Sequence, residues 1–92
     1  MNSNIKKGSF SIIPPVHRDI LKNEPILHVV GKSRMDIENH MGIIEYTQTQ
    51  IRIDSKKGLI IISGKDFLIN EIDKYTISVF GEIQNIEFAG DR

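Results

Sequence analysis

Few residues in this chain could do chemistry. It has three histidines, His17, His28 and His40, and no cysteine, so thiolate metal sites and disulfides are excluded. No two histidines stand at the i+2 or i+4 spacing that puts both imidazoles on one face of a strand or helix. His40 follows Glu38 and Asn39, a donor set that a metal in a turn could use. The better reading is a polar turn that bonds its own backbone. Asp36 and Glu38 lie two apart and share a strand face. General acid–base work would need them in a cleft with divergent pKa values, whereas a solvated strand face needs nothing more.

Three weaker signals remain. Gly58 and Gly64-Lys65 echo a phosphate loop, but one residue too many separates the glycines, and Asp66 stands where Ser or Thr is required. The glycines read better as hairpin hinges. Lys56-Lys57 could touch an anionic lipid headgroup, at about 1 kcal/mol for each lysine; a solvated turn is the default. Tyr46, Phe67, Tyr75 and Phe88 are expected in the core. A base-stacking platform would interleave them with arginines, and Arg34 and Arg52 make no stripe. The expectation is therefore no catalytic residue, no cofactor and no metal, and a protein that is not an enzyme.

The elements that would position these residues are legible in composition and rhythm. Ninety-two residues allow one core, with no disulfide to staple it. Eighteen isoleucines against a single alanine, Ala89, favour sheet over helix. Twelve basic and twelve acidic residues cancel, with signs interspersed, which argues against a nucleic-acid partner. The longest aliphatic run, residues 59–62, falls far short of the roughly 20 residues a spanning helix needs. No secretory segment is read at the N-terminus, where Pro14-Pro15 interrupts any apolar run. Residues 1–24 are expected to be a tail, with a short helix over residues 15–23 ended by Pro25. Residues 25–92 are expected to form a single β domain.

Within that domain, apolar residues recur every eight positions at Met35, Ile43, Ile51, Leu59, Phe67, Tyr75 and Ile83. Partners follow two later at Ile37, Ile53, Ile61, Ile69 and Ile77. Strands of about five residues joined by three-residue turns produce that spacing. The fold expected is all-β: an antiparallel meander of about eight short strands making one curved sheet or a small sandwich. A β-solenoid is the alternative. Turns are placed at Gly31, at Asn39-His40, at residues 54–58, at residues 64–66, at Asp73-Lys74 and at Gly81. A bulge is expected between Ile83 and Ile86, where the alternation slips. An even period points every apolar set to one face and leaves Arg52, Thr76, Ser78 and Glu87 on the other. The open edges are expected at residues 26–30 and 83–88.

Residues 37–46 (IENHMGIIEY), the IRI of residues 51–53, residues 58–65 (GLIIISGK) and residues 81–88 (GEIQNIEF) resemble the YabP/YqfC family of bacterial sporulation proteins, on its YqfC branch. The likeness runs from Pro25 to Phe88. Its matching positions are Ile37, Glu38, Asn39, His40, Gly42, Tyr46, Gly58, Gly64, Lys65 and Gly81, with the ENHMG run the most specific. The resemblance implies a spore-forming, clostridial source and expression in the mother cell. It also implies action beside a membrane sporulation protein, and it brings no catalytic residue.

The function expected is that of a non-enzymatic adaptor or assembly module, in the cytoplasm or peripheral at the membrane surrounding the forespore. A homo-oligomeric or polymeric scaffold is the alternative, and a small ligand-binding or hydrolytic domain ranks below both. A meander leaves two edge strands able to accept another strand, which suits the first two readings.

Overall fold

A computed structural model describes residues 23–90. Nearly all of the expected tail and helix, and His17 with them, lie outside the described residues. Six strands follow: β1 (Ile26–Val30), β2 (Arg34–Glu38), β3 (His40–Tyr46), β4 (Gln50–Ser55), β5 (Gly58–Ile72) and β6 (Thr76–Ala89). They form one antiparallel sheet in the order β1-β2-β6-β5-β4-β3. The all-β, single-sheet expectation holds, and the count of about eight is corrected to six.

Two expected turns are bends inside long strands. Residues 64–66 and Gly81 interrupt the alternation without reversing the chain, so β5 and β6 run 15 and 14 residues. The register between them breaks at Ser63/Gly64, Lys65/Leu68 and Ile69/Glu71. The first break leaves Gln84 unpaired on β6, which is the bulge foreseen between Ile83 and Ile86. Gly64 is required there by close approach, because a Cβ would run into the Glu82 carbonyl oxygen. Gly64 is thus a bulge residue rather than a hairpin hinge.

The order of strands is a second correction to the meander. β3 to β6 do follow one another across the sheet, but β2 pairs with β6, setting Met35 opposite Val79 and Ile37 opposite Ile77. Bends in the β5–β6 ribbon allow this. Its base joins β2, and its far half joins β4, where Ile53 meets Ile60 and Ile51 meets Ile62. All these side chains, with Phe67 and Ile83 at the bend, belong to one buried cluster, so the two halves of the curled sheet face each other. Burying each isoleucine is worth roughly 1.5–3 kcal/mol.

Between β4 and β5 the eight-residue frame fails, with a simple cause. Ser55 lies opposite Gly58 across a two-residue turn, so odd positions of β4 face even positions of β5. Ile60 and Ile62 are therefore core, and Leu59 and Ile61 are only half-buried. The bulges near residues 64–67 then return Phe67 and Ile69 to the core side. Of the four aromatics expected inside, Phe67 is buried; Tyr46, Tyr75 and Phe88 are exposed. Ser78 stands on the outer face as expected, opposite Asp36, and is nevertheless buried there.

Candidate functional site

Curling of the sheet brings three connections to one corner. Only Asn39 separates β2 from β3, although these strands hold the second and last places in the sheet. Asn39 turns the chain at φ 63°, a region its short amide side chain tolerates. Its backbone N–H donates to Tyr75 O at 2.9 Å, and its Nδ2 donates to Glu24 O at 2.9 Å. His40 completes the corner. Gly42 N–H donates to its Nδ1 at 2.9 Å, and its Nε2 lies 2.8 Å from Asp73 O. An Nδ1 that accepts leaves the ring proton on Nε2, which donates to the carbonyl. Both nitrogens are occupied by backbone, in keeping with the turn reading over the metal one. No cluster of three or more potential metal ligands occurs among the described residues.

This corner encloses an open groove of about 320 Å³ lined by Asn39, His40, Met41, Lys56, Lys74 and Tyr75. Its cationic groups are held by neighbours: Lys56 Nζ donates to Asn23 Oδ1 at 3.4 Å, and Lys74 Nζ sits 5.6 Å from the Tyr75 ring centre. Asp73 closes the β5–β6 turn, its Oδ1 accepting N–H bonds from Tyr75 and Thr76 at 2.8 Å each. Those bonds, with Thr76 the larger influence, lower its pKa from the ordinary aspartate value.

The other motif positions do structural work apart from this corner. Ile37 is core. Glu38 pairs with His28 across β1 at 3.3 Å, both exposed, a contact worth little. Tyr46 reaches β5, donating to Phe67 O at 3.3 Å and accepting from Ile69 N at 3.1 Å. Gly58 opens β5 just after the two-residue turn, and Gly64, Lys65 and Gly81 lie at the ribbon's bend. The structure thus gathers Asn39, His40 and Gly42 and disperses the remainder. Asp36 and Glu38 do share a face, but Asp36 is spoken for. It accepts from Ser78 Oγ at 2.8 Å and from the Arg34 guanidinium at 3.3 Å. The Ser78 bond is the largest influence lowering its pKa; partial burial opposes it and Arg34 adds to it.

A second surface escaped the sequence reading. Register places Val30, Arg34, Phe80 and Leu68 side by side across β1, β2, β6 and β5 on the outer face. Val30 is 59% exposed, Phe80 36% and Leu68 58%. The Arg34 guanidinium carbon lies 5.6 Å from the centre of the Phe80 ring. Phase was the available signal. Phe80 follows Ile77 and Val79 out of step, and Leu68 falls between the inward Phe67 and Ile69. A large apolar residue out of phase on a half-buried strand points at solvent.

The sequence profile of the YabP family matches residues 22–92. Over 77 residues the chain is 34% identical to "Uncharacterized protein YqfC" of Bacillus subtilis (strain 168), covering 84% of this chain and 80% of that protein. No solved structure matches.

Proposed function

This chain belongs to the YabP family, and from that premise we propose that it is a sporulation protein that works by docking rather than by chemistry. On this reading it is a non-enzymatic adaptor in the mother cell, peripheral to the membrane around the forespore, with a membrane sporulation protein as its partner. One observation carries the docking part: the outer row Val30–Arg34–Phe80–Leu68. Aromatic and arginine side chains dominate binding energy at protein interfaces, and here they are stacked on a rigid sheet between two exposed aliphatic residues. Rigidity matters because such a surface loses little conformational entropy on binding.

Sporulation of cells carrying variants tests the reading. Phe80→Ser with Leu68→Ser should leave a folded protein by circular dichroism yet abolish support of spore formation. His40→Ala, Glu38→Gln and Asp36→Asn, each alone, should support it to within a few fold. A conservative change of one carboxylate or imidazole that abolishes sporulation in a folded protein would sink the adaptor reading. So would full function of the Phe80/Leu68 variant.

A further inference from the structure

We infer that β1 is a self-association edge, through which two copies of this chain join their sheets about a two-fold axis. The inference is independent of the docking row. The open edges of the described residues differ in how they are protected. β3 is spoiled as a template by register breaks at His40/Ile43 and Ile43/Glu45, around Gly42. The free side of the second half of β5 is covered: Gly64 N–H donates to Thr49 O, Phe67 N–H to Gln48 O, and Tyr46 takes the next two groups. On β6, Gly81 and Ile83 donate to Ser33 O and Lys32 O, and the stretch beyond carries the Gln84 bulge and an exposed Glu87. Bulges, charges and coverings of this kind are how proteins stop sheets from joining edge to edge.

β1 has none of them. Its five residues, ILHVV, pair with β2 in unbroken register and include no lysine, arginine, carboxylate or proline. Val29 faces the core side, opposite Met35, which is wholly buried, yet Val29 is 45% exposed because β1 is the outermost strand. A second strand laid beside β1 would cover it.

The occupant that fits is β1 itself. A two-fold axis normal to the sheet keeps inner residues inner, so each residue must face one of its own parity. Centred on His28, the pairing sets Leu27 opposite Val29 of the second copy and Ile26 opposite its Val30. All five strand residues are then used. Both faces of the seam then pair apolar side chains, Leu27 with Val29 on the inner face and Ile26 with Val30 on the outer. Centring on Leu27 would bring Pro25 into the ladder, and centring on Val29 would leave Leu27 and Ile26 beyond the end of the partner strand, where the chain turns at Gly31. The dimer also brings the two outer docking rows onto one continuous face.

The chain's lack of cysteine makes a clean test. Opposed Cα atoms in an antiparallel pair lie about 4.5–5.5 Å apart, within disulfide reach. Mild oxidation should therefore cross-link His28→Cys to itself. Ile26→Cys and Val30→Cys should each fail alone and cross-link when mixed. Light scattering of the full chain should give a dimer mass whose dissociation constant Val29→Lys raises by about tenfold or more. A monomer mass at every concentration overturns the inference, as does cross-linking by Ile26→Cys alone as efficient as by His28→Cys. The cysteine pattern stands even if Val29→Lys fails to fold.

Discussion

The hydroxyl of Tyr46 stands 3.1 Å from the backbone nitrogen of Ile69, where a neighbouring strand would otherwise supply an acceptor. The same oxygen donates to Phe67 O at 3.3 Å, so one phenol pairs a donor and an acceptor on the side of β5 away from β6. Tyr46→Phe removes both bonds and keeps the ring. Each such bond nets about 0.5–1.5 kcal/mol, and water can replace part of it at this half-exposed site. The expected loss is about 1 kcal/mol, read as a lower urea midpoint with unchanged slope. A Phe variant as stable as the parent would show that the phenol does nothing for β5.

Ile60 and Ile61 test the two-residue turn between β4 and β5. Ile60 is 1% exposed and faces Ile53, whereas Ile61 faces Arg52 and is half-buried. Ile60→Asp should unfold the domain, since it loses the burial of an isoleucine and adds an unpaired carboxylate in the core. Ile61→Asp sits beside Arg52 and should fold with a modestly lower melting temperature. The reverse order of severity would mean that the strand is slipped by one residue.

What could be read in advance divides along the same line. Met35 with Ile37 and Ile51 with Ile53 alternate within single strands, and local alternation fixed their facing correctly. The eight-residue frame puts Leu59 and Ile61 on the core face that Ile60 and Ile62 occupy, because parity across a hairpin depends on the length of its turn, and DSKKG permits two or three loop residues. The β2–β6 pairing was illegible for a different reason. Met35 and Val79 face each other only because the ribbon bends at Gly64 and Gly81, and glycine reads equally well as hairpin or bulge. At the corner, the ENH run announced a polar turn, but Asp73 and Tyr75, more than thirty residues away, had no local signal.

Acid should weaken the fold through Asp36 and Asp73. Both carboxyls are held below their ordinary pKa, Asp36 chiefly by Ser78 and Asp73 chiefly by the Thr76 N–H. A native value below the unfolded one, about 3.9, means that the unfolded chain takes up protons first as pH falls. The stabilisation is therefore present above about pH 4 and is lost as pH drops through the native values. Asn at both positions keeps an acceptor oxygen for Ser78 and for the Tyr75 and Thr76 N–H groups, gives up one Arg34 bond, and cannot titrate. The double variant should lose melting temperature less steeply between neutral pH and acid. An identical slope would place the acid sensitivity elsewhere.

The final expectation concerns the His40 tautomer. Because Gly42 N–H points at Nδ1 and Nε2 meets the Asp73 carbonyl, only the neutral ring protonated on Nε2 satisfies both. Nitrogen-15 spectra of the ring at neutral pH should show that single tautomer. Asparagine at position 40 can offer an oxygen near Nδ1 and so keep the Gly42 bond while losing the reach to Asp73. Glutamine can reach toward Asp73 but gives up Gly42. Each should therefore retain part of the stability that His40→Ala loses, and neither should restore all of it. A zinc ion would have to break one of these bonds to reach a ring nitrogen, so added zinc should leave the His40 resonances unmoved. An Nδ1-protonated ring, or His40 signals that shift on adding zinc, would overturn the backbone-clip account and revive a metal at this corner.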